Sequence, residues 1–360
     1  MTAEQKGLPM RDHADADRLA HAPGGHPAVP ARKIGVLLVN LGTPNGTDYW
    51  NMRRYLREFL SDPRIIEAPK WLWQPILHGI ILTTRPQKSG EAYASIWNKE
   101  KDESPLRTHT RNQTEALAAR YAEKFGDAVM VDYCMRYGDP STALKIQELS
   151  DAGCDRIVFF PLYPQYSATT TGTANDQAFR HLMTMRWQPA IRTVAPYFEH
   201  PLYLDALAQS VERAYAAMDA KPDVLVASYH GLPKDYLDKG DPYHCVCHKT
   251  TRLLKERLGW PDEAIETTFQ SRFGPKEWLQ PYTVERVAEL AKAGKKHIAI
   301  MAPGFSSDCV ETLEEINEEI GDAFREAGGE RFDYIPCLND DAAHIDMIEA
   351  IVDVELTGWV

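Results

Sequence analysis

No run in this 360-residue sequence is long and apolar enough to cross a bilayer. The densest stretch, WLWQPILHGIIL at 71–82, carries Pro75 and His78 and falls short of the ~18 apolar residues a span needs. Positive charge is in deficit: 40 Lys and Arg stand against 52 Asp and Glu, a formal net charge of −12. With no basic stripe to neutralise phosphates, the charge argues against a general nucleic-acid binder. The phosphate-cradling signatures GxGxxG and GxxxxGK[ST] and the GxSxG nucleophile elbow do not occur, which removes the main support for dinucleotide, P-loop and α/β-hydrolase readings. No repeat of 20 to 50 residues is evident, which argues against a solenoid. Six cysteines (134, 154, 245, 247, 309 and 337) are too few for a disulfide framework in so long a chain, and they point to free thiols in a reducing compartment. The opening residues lack an apolar secretory core. Residues 1–32 read as a disordered leader whose His13, His21 and His26 are solvated, and the expected location is the cytoplasm.

What is present is an alternation. Short apolar, β-branched runs at 34–40, 129–137, 156–164, 223–230, 264–270, 297–305 and 333–338 are separated by segments of helical period at 47–62, 139–153, 201–218, 282–294 and 308–329. Such runs suit strands covered on both faces, and the alternation predicts βαβ units with parallel sheets. The expected fold class is α/β, with two doubly wound Rossmann-like domains. The first spans 33–164 and takes back the C-terminal helix 340–360; the second spans 165–339. Ligands of open parallel sheets bind beyond the carboxyl ends of the strands, so the functional site is expected in a cleft between the halves.

His230 stands at such an end, in VLVASYHGLP. Position alone leaves two readings open: a histidine satisfied by one backbone bond, or a neutral imidazole that accepts a proton or binds a borderline metal. In SSDCVETLEEINEE, Asp308 and Glu311 have the spacing of a capping box. Glu311, Glu315 and Glu319 also recur at i, i+4 and i+8, where each like-charge pair costs roughly 0.2–0.5 kcal/mol on a helix surface. A solvated acidic face and a row of carboxylates handling a divalent cation both account for the pattern. YPQYSATTTGT (163–173) reads as a hydroxyl-rich helix cap or as a ligand lining, and Trp278 as core or as platform.

Taken together, NLGTP (40–44), RRYLREFLSDPRII (53–66), MRYGDP (135–140), YPQYSATTTG (163–172), SYHGLP (228–233), GDPY (240–243), TTFQSRFGPKEWLQPYT (267–283) and PGFSSDCVETLEEI (303–316) resemble the ferrochelatases. The resemblance implies a chelatase-type fold with a porphyrin between two Rossmann-like domains, and insertion of Fe²⁺ into protoporphyrin IX to give protohaem. It implies that His230 and Glu311 face each other across the macrocycle as iron ligand and proton acceptor, with Glu315 and Glu319 behind as metal or proton relay. Arg136, Tyr137 and Tyr166 would line the pocket, Trp278 would lie near the macrocycle, and 71–82 would form a lip making peripheral contact with the inner face of a membrane. No cofactor beyond the substrate iron is required. A [2Fe-2S] cluster on Cys245 and Cys247, completed by Cys337, Cys154 or Cys309, is weighed against plain thiols.

Two departures bear on this. Cys309 replaces a histidine found in animal ferrochelatases, and Leu41 stands where the coproporphyrin branch often has tyrosine, which favours protoporphyrin. Insertion of Co²⁺, a coproporphyrin III ferrochelatase and a non-catalytic porphyrin or metal carrier remain the competing readings.

Overall fold

The segment KIGVLLVNLG has one charge, at its start, and Ile34, Val36, Leu37, Leu38 and Val39 are all essentially without solvent contact. A strand so apolar on both faces must sit at the middle of a covered sheet. In the computed structural model, which describes residues 32–360, it does. The expected leader and its histidines thus lie outside the described residues, apart from Arg32. Strand β1 (Lys33–Gly42) pairs in parallel with β2 (Val129–Tyr137) on one side and β3 (Cys154–Pro161) on the other, and β4 (Ala190–Thr193) completes the order β2-β1-β3-β4. The first sheet therefore continues past the boundary expected at residue 164.

The second sheet repeats the plan. β5 (Val224–His230) lies between β6 (Ile265–Gln270) and β7 (His297–Met301), with β8 (Arg331–Ile335) outside β7, all parallel. In both sheets the strand that comes first in the chain is central, and its successors add on either side. Each sheet thus has a switch in winding beside its first strand, where a crevice opens at the carboxyl ends.

Three core layers cover the sheets. Val36, Leu38, Val158 and Phe160 of the first sheet share one layer with Leu225, Ala227, Tyr229 and Phe269 of the second. Leu37, Val39 and Phe159 pack on the opposite face of the first sheet, and Val224, Val226, Ile298 and Ile300 on that of the second. The C-terminal helix Ala342–Leu356 belongs to the shared layer. It is tied to the helix Pro105–Phe125 by Arg120 on Glu349 at 2.7 Å and by the Tyr121 hydroxyl on Asp353 at 3.0 Å.

Several elements end or deform where the chemistry requires it. β7 stops at Met301 and β8 at Ile335, each just ahead of a proline (Pro303 and Pro336) that cannot donate to a ladder. The predicted helix 308–329 is instead a π-helix over Glu311–Ile320 followed by an α-helix over Gly321–Glu326. The lip region is a helix over Lys70–Ile76, a π-turn over Leu77–Ile81 and a helix over Leu82–Ile96. It is held down by Leu77 and Leu82, buried with Met52, Tyr55 and Tyr93.

Candidate active site

β5 delivers His230 to the rim, half-buried, directly opposite Gln270 of β6. The chain then turns through Gly231, whose N–H donates to the Gln270 carbonyl at 2.8 Å. A Cβ at Gly231 would lie 2.6 Å from that oxygen and 3.1 Å from the Trp278 ring, so only glycine permits this approach. The His230 Nδ1 lies 2.7 Å from the Gly231 carbonyl. A carbonyl only accepts, so Nδ1 carries a proton, and the lone pair of the neutral ring is on Nε2.

Facing this imidazole is the π-helix. Its wider i→i+5 turns are a recurrent feature of functional segments, and here they bring carboxylates four apart to one side. Gln270 fixes the segment: its Oε1 accepts from Ser228 Oγ at 2.8 Å, and its Nε2 donates to the Glu311 carbonyl at 2.8 Å and to Glu315 Oε2 at 3.3 Å. Ser271 donates to the same Glu315 oxygen at 2.6 Å. It does so from φ 64°, in the left-handed region, which disfavours L residues by roughly 1–2 kcal/mol.

Burial pushes the Glu315 acid upward and the Glu311 charge adds to that, while the Ser271 and Gln270 bonds and nearby His230 pull it back. The net direction is up, toward a carboxyl that exchanges its proton more readily near neutrality. Glu314 is raised by burial and then by Glu319 and Glu318, with Lys88 of the lip opposing. Glu319 and Glu318 are exposed, so the acidic row runs from the His230 side out to solvent.

The expected capping box is absent. The Asp308 carboxylate is buried and accepts from Thr312 Oγ1 at 2.9 Å and Asn339 Nδ2 at 2.7 Å, together with the Tyr334 hydroxyl at 2.5 Å. It anchors the start of the glutamate segment to the loop after β8 and does not cap a helix.

On the first sheet, Arg136 and Tyr137 end β2, and both are buried. The guanidinium sits 4.2 Å from the Tyr137 ring centroid, donates to Thr173 Oγ1 at 2.7 Å and is ion-paired to Asp62. The Tyr137 hydroxyl reaches the same carboxylate at 2.8 Å. Burial alone would raise Asp62, but the Thr173 bond, the Arg64 backbone N–H and the Arg136 charge hold it below the usual carboxylate value. Sequence reasoning missed Asp62 and Thr173, although Asp62 lies inside the motif RRYLREFLSDPRII.

Tyr166 is half-buried with its hydroxyl over Gly172, at 3.2 Å from where a Cβ would stand. Trp278 packs on Gly231, and its indole N–H is buried with no partner among the described residues. The structure thus brings His230, Trp278 and Glu315 together, ties Glu311 to the same rim through its main-chain carbonyl, leaves Glu319 at the surface end of the row, and sets Arg136 and Tyr137 in a closed ion-pair knot.

The thiols are dispersed. Cys245 is exposed and Cys247 buried on the helix Tyr243–Leu258. Cys247 and Cys337 belong to layers on opposite faces of the second sheet. Cys245, Cys247 and Cys337 therefore do not converge on one point.

Among solved structures, the chain resembles SirB from Bacillus subtilis with Fe³⁺, at 11% identity and a TM-score of 0.52 over 90% of this chain and 95% of that one. It also resembles a multi-domain protein from Deinococcus radiodurans with structural similarity to chelatases, at 12% identity and a TM-score of 0.51 over 89% of this chain and 54% of that one. The fold is thus that of the chelatase class.

The particular family follows from sequence. The ferrochelatase family model matches residues 33–356. The ferrochelatase of Rhodobacter capsulatus is 60% identical over 95% of this chain and 98% of its own length, and that of Chelativorans sp. is 56% identical over 100% of both. The chain belongs to the ferrochelatase family and is a metal chelatase, a lyase of haem biosynthesis.

Proposed function

We propose that the chain inserts Fe²⁺ into protoporphyrin IX to form protohaem with release of two protons, and that His230 and Glu311 do the chemistry in the cleft at the carboxyl ends of β5 and β7. The observation that carries this assignment is the locked imidazole. With Nδ1–H tied to the Gly231 carbonyl, Nε2 is available to take a pyrrole proton or hold iron in transit. A neutral base of this kind is worth ~10²–10⁴-fold in rate.

Glu311 opens the π-helix, and Glu315 stands next in line with a raised acid. Glu319 continues the row to solvent, giving protons a way out or iron a way in. The orphaned Trp278 N–H beside Gly231 gives a bound macrocycle a donor and a flat ring to pack against. Arg136 and Tyr137 act from below, by holding Asp62 and Thr173 under the floor of the pocket, and Tyr166 lines its side. In this division of labour the first sheet and its connections (33–193, with the 340–360 helix) supply lip and floor, and the second sheet, from β5 onward, supplies the reacting pair.

The lip is assigned a role in delivery. Trp71, Leu72, Ile76 and Ile80 are exposed by 78%, 49%, 37% and 58% on the outer side of a segment whose inner side is anchored in the core. Such a patch suits peripheral contact with the cytoplasmic face of a membrane that holds an apolar porphyrin. Among the described residues no helix is long and apolar enough to cross one.

The test is an anaerobic assay of Fe²⁺ with protoporphyrin IX and, in parallel, coproporphyrin III, comparing wild type with His230→Ala and Glu311→Gln. Loss of about 10²-fold or more in turnover is expected for each variant. Full turnover by His230→Ala would discard the assignment. Vesicle flotation of Trp71→Ser/Ile80→Ser tests the lip, with reduced vesicle binding and unchanged turnover on detergent-dispersed porphyrin as the expected result.

A further inference from the structure

The motif HCVCH (244–248) is not used by the cleft. His244 and His248 stand four apart on one face of the helix Tyr243–Leu258, with ring centroids 4.5 Å apart and planes tilted by 56°. His244 stacks on Phe269 at 5.6 Å and 17°, and His248 leans on the same ring at 5.9 Å. Phe269 therefore holds both imidazoles in place. Burial pushes both below the ordinary histidine value, and His244 lowers His248 further. Among the described residues neither ring is hydrogen-bonded to a protein group, so each keeps a free lone pair near neutral pH.

His248 opens onto a groove of about 600 Å³ that Cys245, Arg252, Lys255 and Ile265 also line. The three cations that line it are each paired with a carboxylate, Lys249 with Glu199, Arg252 with Glu256 at 2.8 Å and Lys255 with Asp262, which offsets their repulsion of a further cation. Two neutral imidazoles at i and i+4 on a helix are the spacing that presents nitrogen ligands to one borderline divalent ion. Among the described residues no group of three or more His, Cys, Asp or Glu is arranged to hold a metal, so water would complete the coordination and the ion would exchange.

We propose that His244 and His248 form a second metal site, a two-imidazole clamp for a borderline divalent transition ion such as Zn²⁺ or Co²⁺. It lies on the far side of β6 from the glutamate row: Phe269 meets the two imidazoles, while its neighbour Gln270 binds Glu311 and Glu315.

The experiment is a Co²⁺ titration of the metal-free full-length chain, read by equilibrium dialysis and by the visible d–d absorption. Wild type is expected to bind one equivalent more than His244→Gln/His248→Gln. His248→Gln alone, which alters an exposed ring, is expected to weaken that equivalent by about tenfold or more. The extra equivalent is also expected to persist in His230→Ala/Glu311→Gln, which disables the cleft. Equal stoichiometry and affinity in wild type and His248→Gln would overturn the site, and loss of the extra equivalent in the cleft variant would overturn its location.

Discussion

Gly231 shows how little tolerance the reacting pair has. Its Cβ position is blocked by the Gln270 carbonyl at 2.6 Å, so Gly231→Ala must move either β6 or the turn that aims His230. An overpacked contact of this kind costs about 1–3 kcal/mol, and both the urea midpoint and the insertion rate should fall. Ser271 sets the Glu315 acid. Its bond favours the carboxylate, so Ser271→Ala should raise that acid further and shift the acidic limb of the pH–rate profile to higher pH. An unmoved limb would remove Glu315 from the titrating groups. At this scale the sequence singles out His230 by its strand end and Glu311 by its acidic spacing, and their roles rest on the assay above. The sequence was silent on Asp62 and offered Asp308 only as a helix cap, because the partners of both lie far along the chain: Arg136 and Thr173 for one, Tyr334 and Asn339 for the other.

Among elements, the central strands were easiest to read, because burial on both faces leaves an uninterrupted apolar run. Leu38 is fully buried in the layer shared by both sheets, and Leu38→Ala is expected to cost about 2–5 kcal/mol, measured by chemical denaturation. β4 escaped notice because it is a short edge strand with no fully buried residue. The long helix Pro105–Phe125 escaped for a different reason. It buries Thr108, Thr110, Gln113 and Thr114 beside Leu117 and Tyr121, so its inward face has no clean apolar period for the eye to follow. Its Ser104 cap and first-turn proline are the signals that mark its start. The π-helix was invisible because its composition also suits an α-helix; the hold of Gln270 on Glu311 and Glu315 depends on tertiary contact.

For the molecule as a whole, the two-sheet plan was legible from the order of strands and helices, and the boundary between halves was not, because the chain stays with the first sheet for the short strand β4. His344 bears on stability across that boundary. It is buried at the start of the last helix, donates from Nδ1 to the Asn339 carbonyl at 2.6 Å, and burial pushes its pKa down to about 4. The unfolded chain takes up that proton near pH 6.5 and the folded one only near 4, so folding favours the neutral ring. Stability from this group is complete above pH 6.5 and is lost as pH falls toward 4, by about 3 kcal/mol in all. Unfolding free energies at pH 7 and pH 5 should therefore differ less in His344→Gln than in wild type.

The layer between the sheets joins the beginning of the chain to its end: Ile34, Val36 and Leu38 lie in it with Ile345, Met347, Ile348, Ile351, Val352 and Leu356. The helix Pro105–Phe125 contributes Leu117 and Tyr121 to that layer, but the layer stays incomplete until residues 342–356 have been made. A chain ending at residue 340 is therefore expected to leave part of that apolar layer open to water and to self-associate, read as a concentration-dependent sedimentation that the chain carrying the last helix does not show.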